Sequence, residues 1–397
     1  MKLDTLCASE LKDKITHRPH LSPIYANATF EFESVEQGIK VFAGEEEGMI
    51  YGRYGNPTIA QTARKIAALE GYNTPGNTSA LMTSSGQAAL STLLFGLLNT
   101  GDKILTQGNL YGGSTELMQK SLTSKGIDTV FTQLRNLEEV EAILAKDDSI
   151  KLIFCETPSN PTLECVDLAA ISTLAKKYNV YTAADNTFCT PYLQRPIEFG
   201  IDFVMHSTTK YLNGHGTGIG GVLISDHEDL MKGQIWNTMK IVGTNSSPFE
   251  AWLMNIGIKT LALRMERHCN TSMQLAEYLE DHDRIAKVNY PGLSSHPDYA
   301  LASKQMAGYG GVVSFELEGG VDQGKAFMNA LSLCKLAPSL GESSTLVMHP
   351  ATSSHLKVSR EMCLKNNITD GLVRVATGLE DASDIIADIE QAIGQAY

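Results

Sequence analysis

Val180-Tyr-Thr-Ala-Ala-Asp185-Asn-Thr187 and, downstream, Asp202-Phe-Val-Met-His-Ser207-Thr-Thr-Lys210 share one pattern: a short apolar run that stops abruptly in polar residues. Runs of four to eight residues with this composition read as strands buried on both faces. Outward from this pair, further runs occur at Ala80–Thr83, Lys103–Thr106, Lys151–Cys155 and Val222–Ser225. Helical spacings separate most of them: Thr58–Leu69, Ala88–Leu98, Leu137–Leu144 and Leu168–Tyr178. Such alternation predicts an α/β domain built on a mostly parallel sheet with helices on both faces. Beyond it, the spacing predicts one long helix over Phe249–Tyr278, strands at Val312–Leu317, Cys334–Ala337 and Leu372–Ala376, and a closing helix over Asp381–Ala396. The division expected is an N-terminal arm (1–57), a large α/β domain (58–246) and a smaller C-terminal α+β domain (247–397). A chain of 397 residues is long enough for two cores.

Ligands of parallel α/β sheets bind beyond the carboxyl ends of the strands. Three such ends present an amide, a carboxylate and an amine: Asn160 after Lys151–Cys155, Asp185 after Val180–Ala184, and Lys210 after Phe203–Met205. A lysine placed straight after a buried strand is desolvated, which lowers its pKa and leaves the free amine that condenses with an aldehyde. Ser207 and Thr209 put hydroxyls beside it. Thr83-Ser-Ser-Gly86-Gln87-Ala88 opens a helix with small residues, an arrangement whose free N–H groups and dipole favour an anion such as phosphate. Each feature has a plainer alternative. An isolated lysine after a strand is usually a surface residue, Asp185-Asn186 alone is more often a turn, and Ser84 or Ser85 suits an ordinary helix cap.

Other chemistries are excluded. Gly216-Thr-Gly-Ile-Gly-Gly221 fits G-x-G-x-x-G but runs into the strand-like Val222–Ser225, whereas a dinucleotide fingerprint must open a helix. The formal net charge is −13, with no basic block, so no nucleic-acid partner is expected. No apolar run is long enough to span a membrane and the first twenty residues lack a secretory apolar region, which makes the cytoplasm the expected location. Seven scattered cysteines contain no C-x-x-C and ten histidines show no ligand spacing, so neither a metal nor a disulfide framework is expected.

Asp202–Gly216, taken whole, resembles the pyridoxal-phosphate attachment signature of the Cys/Met-metabolism (trans-sulfuration) enzymes. The resemblance extends to Tyr51-Gly-Arg53-Tyr-Gly-Asn-Pro-Thr58, Ser84-Ser-Gly86, Leu110-Tyr111-Gly-Gly113, Glu156-Thr-Pro-Ser-Asn160-Pro, Asp185-Asn-Thr and Val373-Arg374, and so to nearly the whole chain. It implies the aspartate aminotransferase-like fold (fold type I) and pyridoxal 5'-phosphate as cofactor. By the same resemblance Lys210 carries the cofactor as a Schiff base and shuttles protons, Asp185 pairs with the ring nitrogen, and Tyr111 stacks on the ring and acts as an acid. Gly86, Gln87, Ser207 and Thr209 hold the phosphate. Tyr51 and Arg53 reach the phosphate of a neighbouring subunit, which implies a homotetramer with active sites shared between two subunits. Arg374, Ser339 and Asn160 receive the substrate carboxylate, with Gly113 on the substrate side.

The activity implied is γ-elimination on a sulfur amino acid, of the methionine γ-lyase or cystathionine γ-lyase type, giving 2-oxobutanoate, ammonia and a thiol. The alternative is γ-replacement, as in O-acetylhomoserine sulfhydrylase or cystathionine γ-synthase. Gly113 departs from the cysteine of methionine γ-lyases, and Pro338 from the glutamate of cystathionine γ-lyases. A reading of another class is a catalytically silent protein that keeps the fold.

Overall fold

The computed structural model describes residues 1–9, 19–74, 76, 78–354, 356 and 360–397. Residues 10–18 of the expected arm lie outside them. Seven strands form the larger sheet: β1 (Ser79–Thr83), β2 (Lys103–Gln107), β3 (Asp128–Thr132), β4 (Ile150–Glu156), β5 (Tyr181–Asp185), β6 (Phe203–His206) and β7 (Gly221–Ser225). Their order is β1-β7-β6-β5-β4-β2-β3. The run from β6 to β3 is parallel, and β7 lies antiparallel between β1 and β6. Leu152, Phe154, Ala183, Phe203, Met205 and Leu223 face one buried layer, and Ile153, Cys155, Ala184, Val204, Val222 and Ile224 the other. Burial on both faces explains the unbroken apolar runs. Each large side chain so buried contributes roughly 1.5–3 kcal/mol.

The second sheet comprises β8 (Ile285–Asn289), β9 (Val312–Leu317), β10 (Lys335–Leu336), β11 (Leu346–Met348) and β12 (Leu372–Ala376), in the order β10-β11-β12-β9-β8. Its core joins Val313, Phe315, Val373 and Val375 to Ile385, Ile389 and Ile393 of the helix Ala382–Ala396.

The strands expected from the apolar runs are present, but three more formed that the spacing did not signal. β3 and β8 are short and only partly buried, and β11 has three residues. The strand expected at Cys334–Ala337 is trimmed to Lys335–Leu336. The single helix expected over Phe249–Tyr278 is corrected to two, Pro248–Ile258 and Leu261–Glu280. At the break Lys259 N and Thr260 N donate to the carbonyls of Ile256 and Gly257, tightening the last turn. The Gly257 carbonyl also accepts from Thr260 Oγ1 (3.2 Å) and from Arg264 Nη2 (2.8 Å). These bonds hold it in the turn, and the apolar periodicity alone does not register them. Gly257 itself packs on the backbone of Asn213, where a Cβ would meet the carbonyl oxygen at 2.2 Å.

Candidate active site

β4, β5 and β6 end side by side, with Glu156 in register with Asp185 and Asp185 with Met205. The chain leaves β6 through His206 and turns so that Lys210 N donates to Ser207 O (3.2 Å) and Gly214 N to Lys210 O (2.8 Å). The Lys210 amine emerges into a largely buried space and donates to Ser339 Oγ at 2.9 Å. Burial, followed by the positive charge of Arg374, lowers its pKa from 10.5 to about 8, against an opposing pull from Glu342. An amine so placed is a usable nucleophile near neutral pH.

Asp185 is half-buried, and its carboxylate accepts from Thr187 N (3.0 Å) and the Thr187 hydroxyl. Ser207 N in turn donates to Thr187 Oγ1 (2.9 Å), tying the ends of β5 and β6 together. Burial pushes the carboxyls of both Asp185 and Glu156 up, and the charge of Asp185 adds to the rise at Glu156. Beneath them, wholly buried His206 Nε2 and Glu70 Oε1 lie 2.6 Å apart, and Glu70 also accepts from Asn186 (3.0 Å).

Opposite Ser207 stands the start of the helix Gly86–Leu97. Ser85 Oγ caps Ala88 N at 3.0 Å, so of the two serines proposed as caps, Ser85 is the one. A Cβ on Gly86 would sit 2.9 Å from Ser207 Cβ, so only glycine lets the helix start approach the lysine turn. Thr209 Oγ1 bonds the backbone of Gly220, donating to its carbonyl and accepting from its N–H. Tyr111 is half exposed, and its ring lies over Gly113, where a Cβ would be 2.6 Å from Tyr111 Cε1 and 3.1 Å from Gln87 Nε2.

From the second sheet comes Arg374, in the middle of β12 and buried. Its Nη1 donates to Asn160 Oδ1 (2.9 Å) and its Nη2 to Ser339 O (2.8 Å), while Nε has no hydrogen-bond partner among the described residues. Neither bond is to a carboxylate. A buried guanidinium with neutral partners and a spare donor is a receptor for an anionic group.

Lys210, Ser339, Arg374 and Asn160 are therefore joined by direct hydrogen bonds, and Glu156 stands between Asp185, Tyr111 and Asn160. Tyr51 and Arg53 are placed elsewhere: the Arg53 guanidinium donates to Lys240 O and lies 5.6 Å and 5.1 Å from the rings of Tyr51 and Tyr54. Glu156, Thr187 and the Glu70–His206 pair carried no role in the sequence reading. Glu156 is visible in the sequence only as the first residue of the Glu156–Pro161 stretch that shares in the family resemblance. All seven cysteines are free, and no group of three or more potential metal ligands occurs among the described residues.

The residues fit a phosphorylated pyridine aldehyde. The amine is largely desolvated, the half-buried Asp185 carboxylate has no ion pair among the described residues that would stand in for a protonated ring nitrogen, and the first N–H groups of the Gly86 helix suit a phosphate. Fold and site together define a pyridoxal-phosphate enzyme of the aspartate aminotransferase-like class, fold type I. The chain belongs to the Cys/Met-metabolism PLP-dependent enzymes, whose family model matches residues 4–394. It is 43% identical to an L-methionine gamma-lyase of Fusobacterium nucleatum subsp. nucleatum, over 94% of this chain and 92% of that one. Identity to an O-succinylhomoserine sulfhydrylase of Pseudomonas aeruginosa is 37%, over 98% and 94% of the two chains. The crystal structure of a cystathionine gamma-lyase from Lactobacillus plantarum, complexed with L-serine, superposes with a TM-score of 0.92 at 35% identity, covering 100% of this chain and 99% of that one.

Proposed function

We propose that the protein catalyses γ-elimination on a sulfur amino acid, converting it with one water to 2-oxobutanoate, ammonium and a thiol. The observation that carries this reading is the direct chain from the Lys210 amine to Ser339 and on to Arg374. It sets a nucleophilic amine beside a receptor for the α-carboxylate of the same small molecule. Asp185 is assigned to keep the cofactor's ring nitrogen protonated, Tyr111 to stack on the ring, and Gly86, Gln87, Ser207 and Thr209 to receive the phosphate. Bound on Lys210, pyridoxal phosphate supplies the electron-withdrawing ring that makes protons at Cα and then Cβ acidic. Arg374, Ser339 and Asn160 hold the substrate carboxylate and thereby orient Cα–H toward Lys210. The Lys210 amine would accept that proton. Tyr111 is assigned to protonate the departing sulfur.

γ-Replacement is the second reading, favoured by the sulfhydrylase relative, and differs only in that an added thiol captures the chain after the γ-substituent leaves. One panel decides between them: methionine, cystathionine, homocysteine, cysteine and O-acetylhomoserine, each with and without sulfide. The expected result is 2-oxobutanoate from at least one γ-substituted substrate. Pyruvate as the sole keto acid would show β-elimination and overturn the proposal, and a sulfide-dependent amino-acid product would assign replacement.

The lowered pKa of Lys210 has its own consequence. Below about 8 the amine is increasingly protonated and unable to attack the aldehyde, so cofactor uptake by cofactor-free protein slows about tenfold for each unit of falling pH and levels off above that value. Stopped-flow absorbance measures it, and a flat profile from about pH 6.5 to about 9 contradicts the assignment.

We propose further that the chain divides into an arm (1–57), a cofactor-binding domain (58–246) and a C-terminal domain (247–397), and that it works in the cytoplasm as a homotetramer with shared sites. No helix among the described residues is long and apolar enough to cross a membrane. In support of sharing, Arg53 is directed to Lys240 rather than to Lys210, and the adjoining Ile241 and Val242, with Phe249, are large exposed apolar side chains of the kind found at subunit contacts.

A further inference from the structure

Glu156 ends β4 with 4% of its surface exposed, in register with a second, half-buried carboxylate, Asp185. Burying an acid beside another carboxylate is unfavourable, so the arrangement calls for a compensating role. The role is visible in its two oxygens. Oε2 accepts from Tyr111 N at 2.9 Å, and Oε1 accepts from Asn160 N at 2.8 Å. Its backbone is pinned by Gln107, whose side chain accepts from Glu156 N (3.2 Å) and donates to Glu156 O (2.9 Å). Two donors approaching opposite oxygens of one side chain are satisfied only by a carboxylate, because an amide presents one acceptor and turns its NH2 toward the second donor.

We propose that Glu156 is a positioning residue: it clamps the Tyr111 turn and Asn160 as one unit, so that the aromatic ring and the Asn160–Arg374 carboxylate receptor keep a single relative placement. Its role is exerted through Tyr111 and Asn160, the residues its two oxygens hold. The inference rests on the roles proposed above for Tyr111 and Arg374. A parallel tie between the same two loops gives an internal control: Asn109 Nδ2 donates to Ser159 Oγ (2.9 Å) and Thr162 Oγ1 (3.0 Å) without engaging Tyr111 N or Asn160 N.

The test compares the holoenzymes of Glu156→Gln, Glu156→Asp and Asn109→Ser with wild type. The amide forfeits one of the two bonds, and aspartate keeps the charge but is one methylene too short to reach both donors. Both Glu156 variants are expected to lose at least about half of the visible circular dichroism of the bound cofactor and about 100-fold in kcat/KM, with most of the loss in KM, as for about 1 Å of misplacement. Asn109→Ser, which loosens the same loops, is expected to lower the melting temperature while leaving dichroism and KM near wild type. If Glu156→Gln does not fold, Glu156→Asp carries the comparison. Wild-type dichroism and KM in the Glu156 variants, or the same losses in Asn109→Ser, overturn the clamp. Should Lys210→Ala retain the bound-cofactor absorbance, it is the reading of the site that fails, a result distinct from either.

Discussion

Lys210→Ala is expected to abolish the visible absorbance of the bound cofactor and to reduce 2-oxobutanoate formation to background. Two contributions vanish together: the amine proposed to hold the aldehyde covalently, and the base proposed to act at Cα. A positioned acid–base group alone is worth about 10²–10⁴-fold, and the cofactor is now held by non-covalent contacts only. The fold is expected to survive. Among the described residues Lys210 Nζ makes a single neutral hydrogen bond, to Ser339 Oγ, and removing a desolvated amine relieves the burial that lowers its pKa. Absorbance spectra of wild type and variant after cofactor addition and gel filtration read the outcome directly. A wild type that stays colourless after reconstitution would instead support a catalytically silent member of the family, and a coloured Lys210→Ala would move the attachment site elsewhere.

Arg374→Ala is expected to raise KM for the amino acid so that kcat/KM falls by about 30-fold to several thousand-fold, the equivalent of the 2–5 kcal/mol seen when one partner of a buried charged pair is truncated. The cause is local. Asn160 Oδ1 and Ser339 O lose their donor, and the substrate carboxylate loses the guanidinium proposed to receive it. Arg374→Lys is expected to recover little, since a point charge on a flexible stem reproduces neither the fork nor the two existing bonds. The decisive control is a substrate amide lacking the carboxylate charge. Its already weak turnover should be nearly unchanged by Arg374→Ala if the residue reads the carboxylate. Equal losses for acid and amide would show that Arg374 merely supports the packing between the sheets.

Much of the site was legible because the chemistry sits where local patterns end. Asp185 and Lys210 each follow an apolar run, and a run of that length and composition specifies a buried strand whatever the remainder of the chain does. The turn at Gly86, proposed to receive the phosphate, was legible for a similar reason, since small residues opening a helix leave N–H groups free. Arg374 had no such local signal: it lies inside a strand-like run, and only the resemblance to a family marked it. Glu156 was legible as part of that resemblance and illegible as a clamp, because its partners Tyr111 and Asn160 come from two different loops.

The amino-acid sequence by itself determined the alternation of strand and helix, the parallel sheet that follows from it, and the placement of a lysine and a carboxylate at strand ends. Those depend on windows of a few residues, whose periodicity and hydrophobicity are intrinsic to the chain. Only the tertiary structure decided that Arg374 of the second sheet meets Asn160 and Ser339 beside Lys210, that Arg53 turns away from its own lysine, that the helix after Pro248 breaks at Lys259-Thr260, and that β3, β8 and β11 form at all. Short strands acquire their burial from the neighbours they pair with, and a hydrogen bond between residues 214 positions apart depends on loops closing over the whole intervening chain, which no local window contains.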